Sequence, residues 1–345
     1  MEPLRIGVLG AARINGLAIV GPARTTGDRL VAIAARDRRR AEEFAAEHGV
    51  EHVFDTYADV VAAPEVEVVY NPLPNALHGP WNLAAIAAAK HVLSEKPFAS
   101  NAEEAREVRD AVAGTGLTVL EGFHYLYHPV TSRLHQLVDS GELGDLRHVE
   151  VDMFMPAPDD GDPRWSFELA GGALMDLGCY SLNAHLMLAP WAGGPPSVVA
   201  ARGGERAGRP GVDQWVTADL EFPSGATGRA RCDMAAKSWR FTCRVVGTRG
   251  EATAANFVQP HLDDCVTVRS RGSQRVERLG TRSSYTYQLE AVREHLRAGS
   301  ALPVDIDDAV ESMGLVDDVY RAAGFAPRPT WKEEQCTTTS LGKRI

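Results

Sequence analysis

Cysteine is scarce in this chain and scattered where it occurs. The five cysteines, Cys179, Cys232, Cys243, Cys265 and Cys336, are odd in number and form no C-x-x-C pair. That excludes a disulfide framework and a zinc knuckle and sets the expectation of a reducing, cytoplasmic location. Positive charge is in deficit: 36 Lys+Arg stand against 46 Asp+Glu, a formal net charge of -10. Such a surface is unsuited to nucleic acid or an anionic membrane as partner. Long apolar runs are missing as well; none nears the ~20 residues of a transmembrane helix. Because a strand pattern begins at Leu4, no signal peptide is expected. What remains is a soluble globular composition, 44% hydrophobic and 24% charged over 345 residues, long enough for about two domains of ~150 residues, each with a full core.

The first third alternates short β-rich runs with helical patterns. Residues 4–9, 29–35, 50–54, 67–70, 91–94 and 117–120 read as strands. Helical patterns run from about Ile14, over Arg38–His48, Leu77–Lys90 and Ala102–Ala113. This alternation predicts βαβ units with right-handed crossovers and a doubly wound parallel sheet. After about Glu121 the pattern changes. A helix near 130–140, a strand at 146–155 and a helix at 177–188 precede a β-rich stretch from Ser197 to about Val276, broken by Gly, Pro and Asp. Short turns such as Pro223-Ser224-Gly225 imply antiparallel pairing. Two helices near 287–297 and 306–323 follow. The expected fold class is α/β: an N-terminal Rossmann dinucleotide-binding domain (residues 1–122) and a C-terminal α+β domain with a large, mostly antiparallel sheet (123–330). A polar tail at 331–345 is expected to be mobile.

Chemistry concentrates at the ends of the predicted strands, which in doubly wound sheets face the ligand crevice. The first turn reads Gly10-Ala11-Ala12-Arg13-Ile14-Asn15, where a dinucleotide fingerprint belongs; only its tight-turn glycine is kept, with Ala12 and Asn15 at the other two glycine positions. The helix start could offer N–H donors to a pyrophosphate, and a turn with no ligand accounts for the residues equally well. The second strand ends at Arg36, a position where an acidic residue suits NAD and an arginine suits the 2′-phosphate of NADP; Asp37 reads as the cap of the next helix. Lys96 in Glu95-Lys96-Pro97 follows the fifth strand and is suited to a place beside a nicotinamide; a surface-loop lysine is the plainer alternative. Asp176 and Tyr180 stand four residues apart after a Gly171-Gly172 turn, with Asn183 on the same predicted face. Tyrosine serves as general acid or base when a cation lowers its pKa; a capping Asp and a core Tyr are the plainer alternative.

Together these segments resemble the glucose-fructose oxidoreductase / inositol dehydrogenase family (Gfo/Idh/MocA) over about residues 4–330. The resemblance rests on Gly10-Ala11-Ala12-Arg13-Ile14, Pro72-Leu73-Pro74-Asn75-Ala76-Leu77-His78, Glu95-Lys96-Pro97 and Gly171-Gly172 with Asp176-x-Gly-x-Tyr180. Tyr180 in place of histidine is similar to the branch of glucose-fructose oxidoreductase, aldose dehydrogenases and dimeric dihydrodiol dehydrogenase, which generally use NADP. The resemblance implies a cis Lys96-Pro97 bond, Lys96 beside the nicotinamide, and oligomerisation through the second domain's sheet. It also implies that Pro72, Leu73, Asn75 and His78 border the nicotinamide ribose, and that Glu95 and Pro97 help form the cofactor site. His78 bonded to backbone is the alternative.

The substrate-facing candidates are Lys96, His124, Tyr125, Arg164, Trp165, Tyr180 and Asn183, with packing as the alternative for Trp165. His124 and His128 have ligand spacing, but Pro129 interrupts the helix there and no third ligand is evident, so no metal is expected. The expected activity is an NADP-dependent (NAD possible) oxidation of a secondary alcohol of a sugar, cyclitol or diol, or reduction of the matching ketone. In that scheme Tyr180 moves the hydroxyl proton, Lys96 holds the substrate oxygen and lowers the tyrosine pKa, and Asp176 positions the pair. A homodimer or homotetramer is expected, with no nucleic-acid or membrane partner. A non-catalytic NAD(P)-binding regulator and a glycosidase with a tightly held nicotinamide remain as alternatives.

Overall fold

The computed structural model describes residues 1–331. Apart from Trp331, the expected mobile tail lies outside the described residues. The N-terminal half is built from β1 (Arg5–Leu9), a wide helical turn (Gly16–Val20) continuing into α1 (Gly21–Thr26), β2 (Arg29–Ala34), α2 (Arg38–His48), β3 (His52–Val53), α3 (Tyr57–Ala62), β4 (Val68–Asn71), α4 (His78–Ala87), β5 (His91–Ser94), α5 (Ala102–Val112) and β6 (Val119–Glu121). The strands form a six-stranded sheet in the order β3-β2-β1-β4-β5-β6, every pair parallel. Apolar residues such as Val8, Ile33, Val69 and Val92 are buried, as a sheet covered on both faces requires. Strand order reverses between β1 and β4, which opens a crevice at their carboxyl ends.

Local signals set the helix boundaries. The Asp37 side chain accepts from the Arg39 N–H and starts α2, and Gly49 ends it in a left-handed conformation. The Asn101 side chain accepts from two N–H groups at the start of α5. The short α3 was not expected, since six residues are too few to show a period. It is closed by a reciprocal Thr56/Asp59 capping box.

The second half contains α6 (Pro129–Asp139), β7 (Leu146–Phe154), a wide helical turn (Leu174–Gly178) running into α7 (Cys179–Leu186), and seven further strands. These are β8 (Ser197–Arg206), β9 (Arg209–Glu221), β10 (Thr227–Asp233), β11 (Arg240–Gly247), β12 (Gly250–Ala254), β13 (Cys265–Ser270) and β14 (Ser273–Arg278). They form an eight-stranded sheet, β14-β13-β12-β11-β7-β10-β9-β8, in which only β7 and β10 pair in parallel among the described strands. Helices α6, α7 and the closing α9 (Ile306–Ala322) lie against this sheet. The strand residues that alternate away from the core carry cross-strand ion pairs, Arg231 to Glu150 and Asp152 at 2.6 Å each and Arg269 to Glu251 at 3.0 Å.

Helix α8 (Ser284–Ala298) crosses back. Its Tyr285, Leu289 and Val292 join Ile6, Ile19 and Tyr70 in the core beneath the first sheet. Arg293 donates to the Thr26 carbonyl at 2.6 Å. No described helix is long and apolar enough to cross a membrane.

Candidate active site

The crevice is lined by the segments that follow β1, β2, β4, β5 and β6, and the turn before α7 meets it from the other sheet. After β1, Gly10 takes φ 92°, a conformation open to glycine. A side chain there would also press within 3.3 Å of Leu73 Cδ2. Asn15, where the fingerprint has glycine, is buried and donates its amide to the Gly10 carbonyl at 2.8 Å. The substitution thus closes the loop rather than opening it. Among the described residues, no carbonyl accepts from the N–H groups of Ala11, Ala12, Arg13 or Ile14, which leaves these donors for an anion.

The arginine cluster after β2 resolves into distinct roles. Arg38 pairs with Glu42 and Asp55, Arg39 pairs with Glu43, and Arg40 donates to the Ala11 carbonyl at 2.7 Å. Arg36 is exposed with no side-chain partner among the described residues. The Tyr57 hydroxyl lies beside it and close to Gly10. Burial raises the Tyr57 phenol, and the Arg36 and Arg40 charges oppose that rise. Neither Arg40 nor Tyr57 was singled out by sequence; α3, which carries Tyr57, left no periodic signal.

After β5 the Lys96-Pro97 bond is cis. Lys96 and Asp176, eighty positions apart, meet: Nζ donates to the Asp176 carbonyl at 2.7 Å and to its carboxylate at 3.2 Å. The Arg164 Nε donates to the other carboxylate oxygen at 2.8 Å. Burial opposes the Asp176 charge, but Lys96 and Arg164 outweigh it and hold the carboxyl well below its ordinary range. Burial likewise opposes the Lys96 charge, and Asp176 outweighs it, so the ammonium is kept. Nζ stands 4.9 Å from the centre of the Tyr180 ring. The three expected residues therefore converge.

Several expectations are corrected. Lys96 sits over the Tyr180 ring rather than on its oxygen, and burial, followed by neighbouring acidic groups, drives the phenol well above its usual pKa. The Tyr180 hydroxyl meets His124 Nε2 instead, at 3.2 Å. His124, expected to face a substrate, is buried with Tyr180 against it. Trp165 is only 1% exposed and packs in the core, with its indole N–H directed at the Pro158 carbonyl. Tyr125 and Asn183 satisfy each other in the interior at 2.6 Å. His78 is buried with its two ring nitrogens 2.6 and 2.7 Å from the Pro97 and Leu73 carbonyls. Burial takes its pKa down to about 4 against the pull of those carbonyls. It ties the two loops together. Glu95 turns inward and accepts from the Tyr70 hydroxyl at 2.9 Å. Arg13 leaves the loop for Asp162 of the second domain, at 2.5 Å. Asn75 donates to the Ala170 carbonyl at 3.0 Å, spanning the same gap. Pro72 and Leu73 follow β4 and are buried, Leu73 within the core.

These features agree with comparisons to known proteins. Residues 4–123 match the model described as "Oxidoreductase family, NAD-binding Rossmann fold", and residues 131–253 match the GFO/IDH/MocA C-terminal domain. A D-xylose 1-dehydrogenase (NADP(+)) of Haloferax volcanii is 33% identical over 323 residues, 93% of this chain and 97% of the relative. The trans-1,2-dihydrobenzene-1,2-diol dehydrogenase of Oryctolagus cuniculus is 36% identical over 223 residues, 65% of this chain and 66% of that one. A crystal structure of a 3-ketoreductase from Actinomadura kijaniata, in complex with NADP and TDP-benzene, superposes with a TM-score of 0.85 at 25% identity, covering 93% of this chain and 98% of the other. With the doubly wound sheet, the Lys96–Asp176 pair and the second sheet all in place, the chain belongs to the GFO/IDH/MocA oxidoreductase family.

Proposed function

We propose that this protein is an NADP-dependent oxidoreductase acting on a secondary alcohol, or the matching ketone, of a sugar, cyclitol or diol. The observation that carries the reading is the half-buried Lys96 at the carboxyl end of β5, kept ionised by Asp176 and flanked by Tyr180. The unpartnered N–H groups after β1 suit a pyrophosphate, and unpaired Arg36 suits a 2′-phosphate, so the residues present fit the dinucleotide. The relatives named for D-xylose, a dihydrobenzenediol and a 3-keto group support the substrate class.

When bound, the nicotinamide takes up or returns the hydride. An ammonium has three donors; Asp176 takes two of those on Lys96. The third is left to hold the substrate oxygen and stabilise negative charge there as the hydroxyl is lost. Asp176, held ionised between two cations, orients Lys96 and takes no proton. Tyr180 carries the proton of the reacting hydroxyl.

NADPH formation should be seen with at least one of a panel of aldoses, cyclitols and dihydrodiols, and calorimetry should show NADP(H) binding tighter than NAD(H), with Arg36→Ala narrowing the gap. Equal affinities for the two cofactors in the wild type refute the cofactor assignment; no turnover across the panel refutes the activity. We further propose that the ion-paired face of the second sheet meets another copy in a homodimer or homotetramer. A monomer in light scattering at micromolar concentration rejects this. A reducing, cytoplasmic setting suits the unpaired Cys179, Cys232 and Cys243, all buried.

A further inference from the structure

The phenol of Tyr180 is buried, and among the described residues no cation touches its oxygen. As the resting proton carrier it needs somewhere to put its own proton when the substrate hydroxyl delivers one. The structure places one group there. His124 Nε2 lies 3.2 Å from the Tyr180 oxygen, and Nδ1 of the same ring lies 2.8 Å from Ser284 Oγ. The ring is held flat against Tyr285, with centroids 3.7 Å apart. Ser284 and Tyr285 both belong to α8, the helix that crosses back to the first domain. His124 and Ser284 are 160 positions apart in sequence, so a built contact joins two distant elements at the rear of the site.

We propose that His124 is the proton acceptor behind Tyr180, with its tautomer set by Ser284. This rests on the reading of Tyr180 as proton carrier. With Nδ1–H donating to Ser284 Oγ, Nε2 presents a lone pair to the phenol. As the substrate hydroxyl proton moves to the Tyr180 oxygen, the phenol's own proton moves to Nε2, and the carbon-bound hydride leaves to the nicotinamide. After product departs, water entering the crevice takes the proton from Tyr180 while Nε2 returns its own to the phenol oxygen. One proton enters from substrate and one leaves to water, and the ring ends in its starting tautomer. In the reverse direction the same hops run backwards. Burial first, and then the charges of Lys96, His261 and His128, hold the His124 imidazole well below its ordinary pKa, so it rests neutral. That leaves the lone pair open. His124 acts through Tyr180 and positions its proton; it does not touch substrate.

The test has two readouts. The first is the ring itself, in the full chain labelled with 15N-histidine and without ligand. We expect His124 protonated on Nδ1 and not on Nε2, with the Nε2 resonance displaced in Tyr180→Phe and the tautomer altered in Ser284→Ala. The second is turnover with D-xylose and NADP+ as probes. His124→Ala and His124→Gln are expected to lower kcat by about 10²-fold or more with unchanged NADP+ affinity. Added imidazole should restore a concentration-dependent part of the His124→Ala rate, and the pH profile of kcat should lose its dependence on the ring. His124→Gln keeps bulk and polarity, so it covers the case in which the alanine variant does not fold. Nε2–H in the resting protein, or a glutamine variant with wild-type kcat and pH profile, overturns the proposal. A slow His124→Ala that imidazole does not rescue also overturns it. If the wild type is inert toward D-xylose, the activity reading falls on that probe, and the nitrogen spectra alone decide the His124 assignment.

Discussion

Arg328 is the strongest single test of how the second domain supports the site. Its guanidinium and the Asp213 carboxylate are both fully buried. Arg328 NH2 donates to Asp213 Oδ1, Nε donates to the Gly171 carbonyl at 2.7 Å, and the group lies 4.3 Å from the centre of the Tyr320 ring. Asp213 also accepts from the Tyr320 hydroxyl at 2.9 Å and the Leu174 N–H at 2.7 Å. This cluster therefore grips both ends of the Gly171-Gly172 turn that launches Asp176 and Tyr180. Arg328→Met keeps most of the packing stem and removes the charge. Taking one partner from a buried pair costs about 3–5 kcal/mol, because the other charge stays uncompensated.

Burial already raises the Asp213 pKa against the Arg328 charge, and without the arginine it should rise further. A carboxyl raised in the folded state holds a proton that the unfolded chain releases, so stability falls as pH rises through that range. The deficit of Arg328→Met should accordingly be larger at pH 8 than at pH 5. Arg328→Met combined with Asp213→Asn should lose clearly less than the sum of the single changes. Urea unfolding followed by tryptophan fluorescence at both pH values reads each quantity. A loss under about 1 kcal/mol, or strict additivity in the double variant, would show that the pair contributes nothing beyond packing.

The remaining expectations concern other buried groups. Burial takes the Glu121 carboxyl up to about 8, although the Phe98 N–H favours its charged form. Between the ordinary carboxylate range and pH 8 the folded state retains a proton the unfolded state loses, and this removes up to about 4–5 kcal/mol of stability as pH rises. Glu121→Gln keeps an acceptor for Phe98 and should flatten the fall of Tm with pH; parallel curves for the two proteins would contradict this. Lys96→Ala and Tyr180→Phe should each remove most NADPH formation while calorimetric NADP+ binding survives, and the double variant should be no worse than the slower single one. A Tyr180→Phe protein with near-normal kcat would make that ring a packing residue. At Gly79 a side chain would come within 2.4 Å of the buried Glu104 carboxyl carbon, so Gly79→Ala should cost about 1–3 kcal/mol of stability in denaturation; an unchanged midpoint would mean Glu104 moves freely.

The sequence by itself determined the alternation of strands and helices, because periodicity, caps and glycine stops act over a few residues. Asp37 and Gly49 bracket α2 by local bonds alone. It also placed the residues proposed for the site by their position along the chain: Gly10 after the first strand, Arg36 after the second, Lys96-Pro97 after the fifth, and Asp176 with Tyr180 after a Gly-Gly turn. Direction and partner of each side chain were decided only by tertiary structure. Trp165 has the same neighbours in sequence whether it stacks on a ligand or fills a core, and burial chose the core. Tyr125 and Asn183 read as polar and available until each proved to be the other's partner. His124 reads in sequence as a substrate-facing residue; only the return of α8 across the first sheet sets Ser284 and Tyr285 against it. Such contacts join residues far apart in the chain, and their free energy comes from desolvation and hydrogen-bond pairing, which no local spacing encodes.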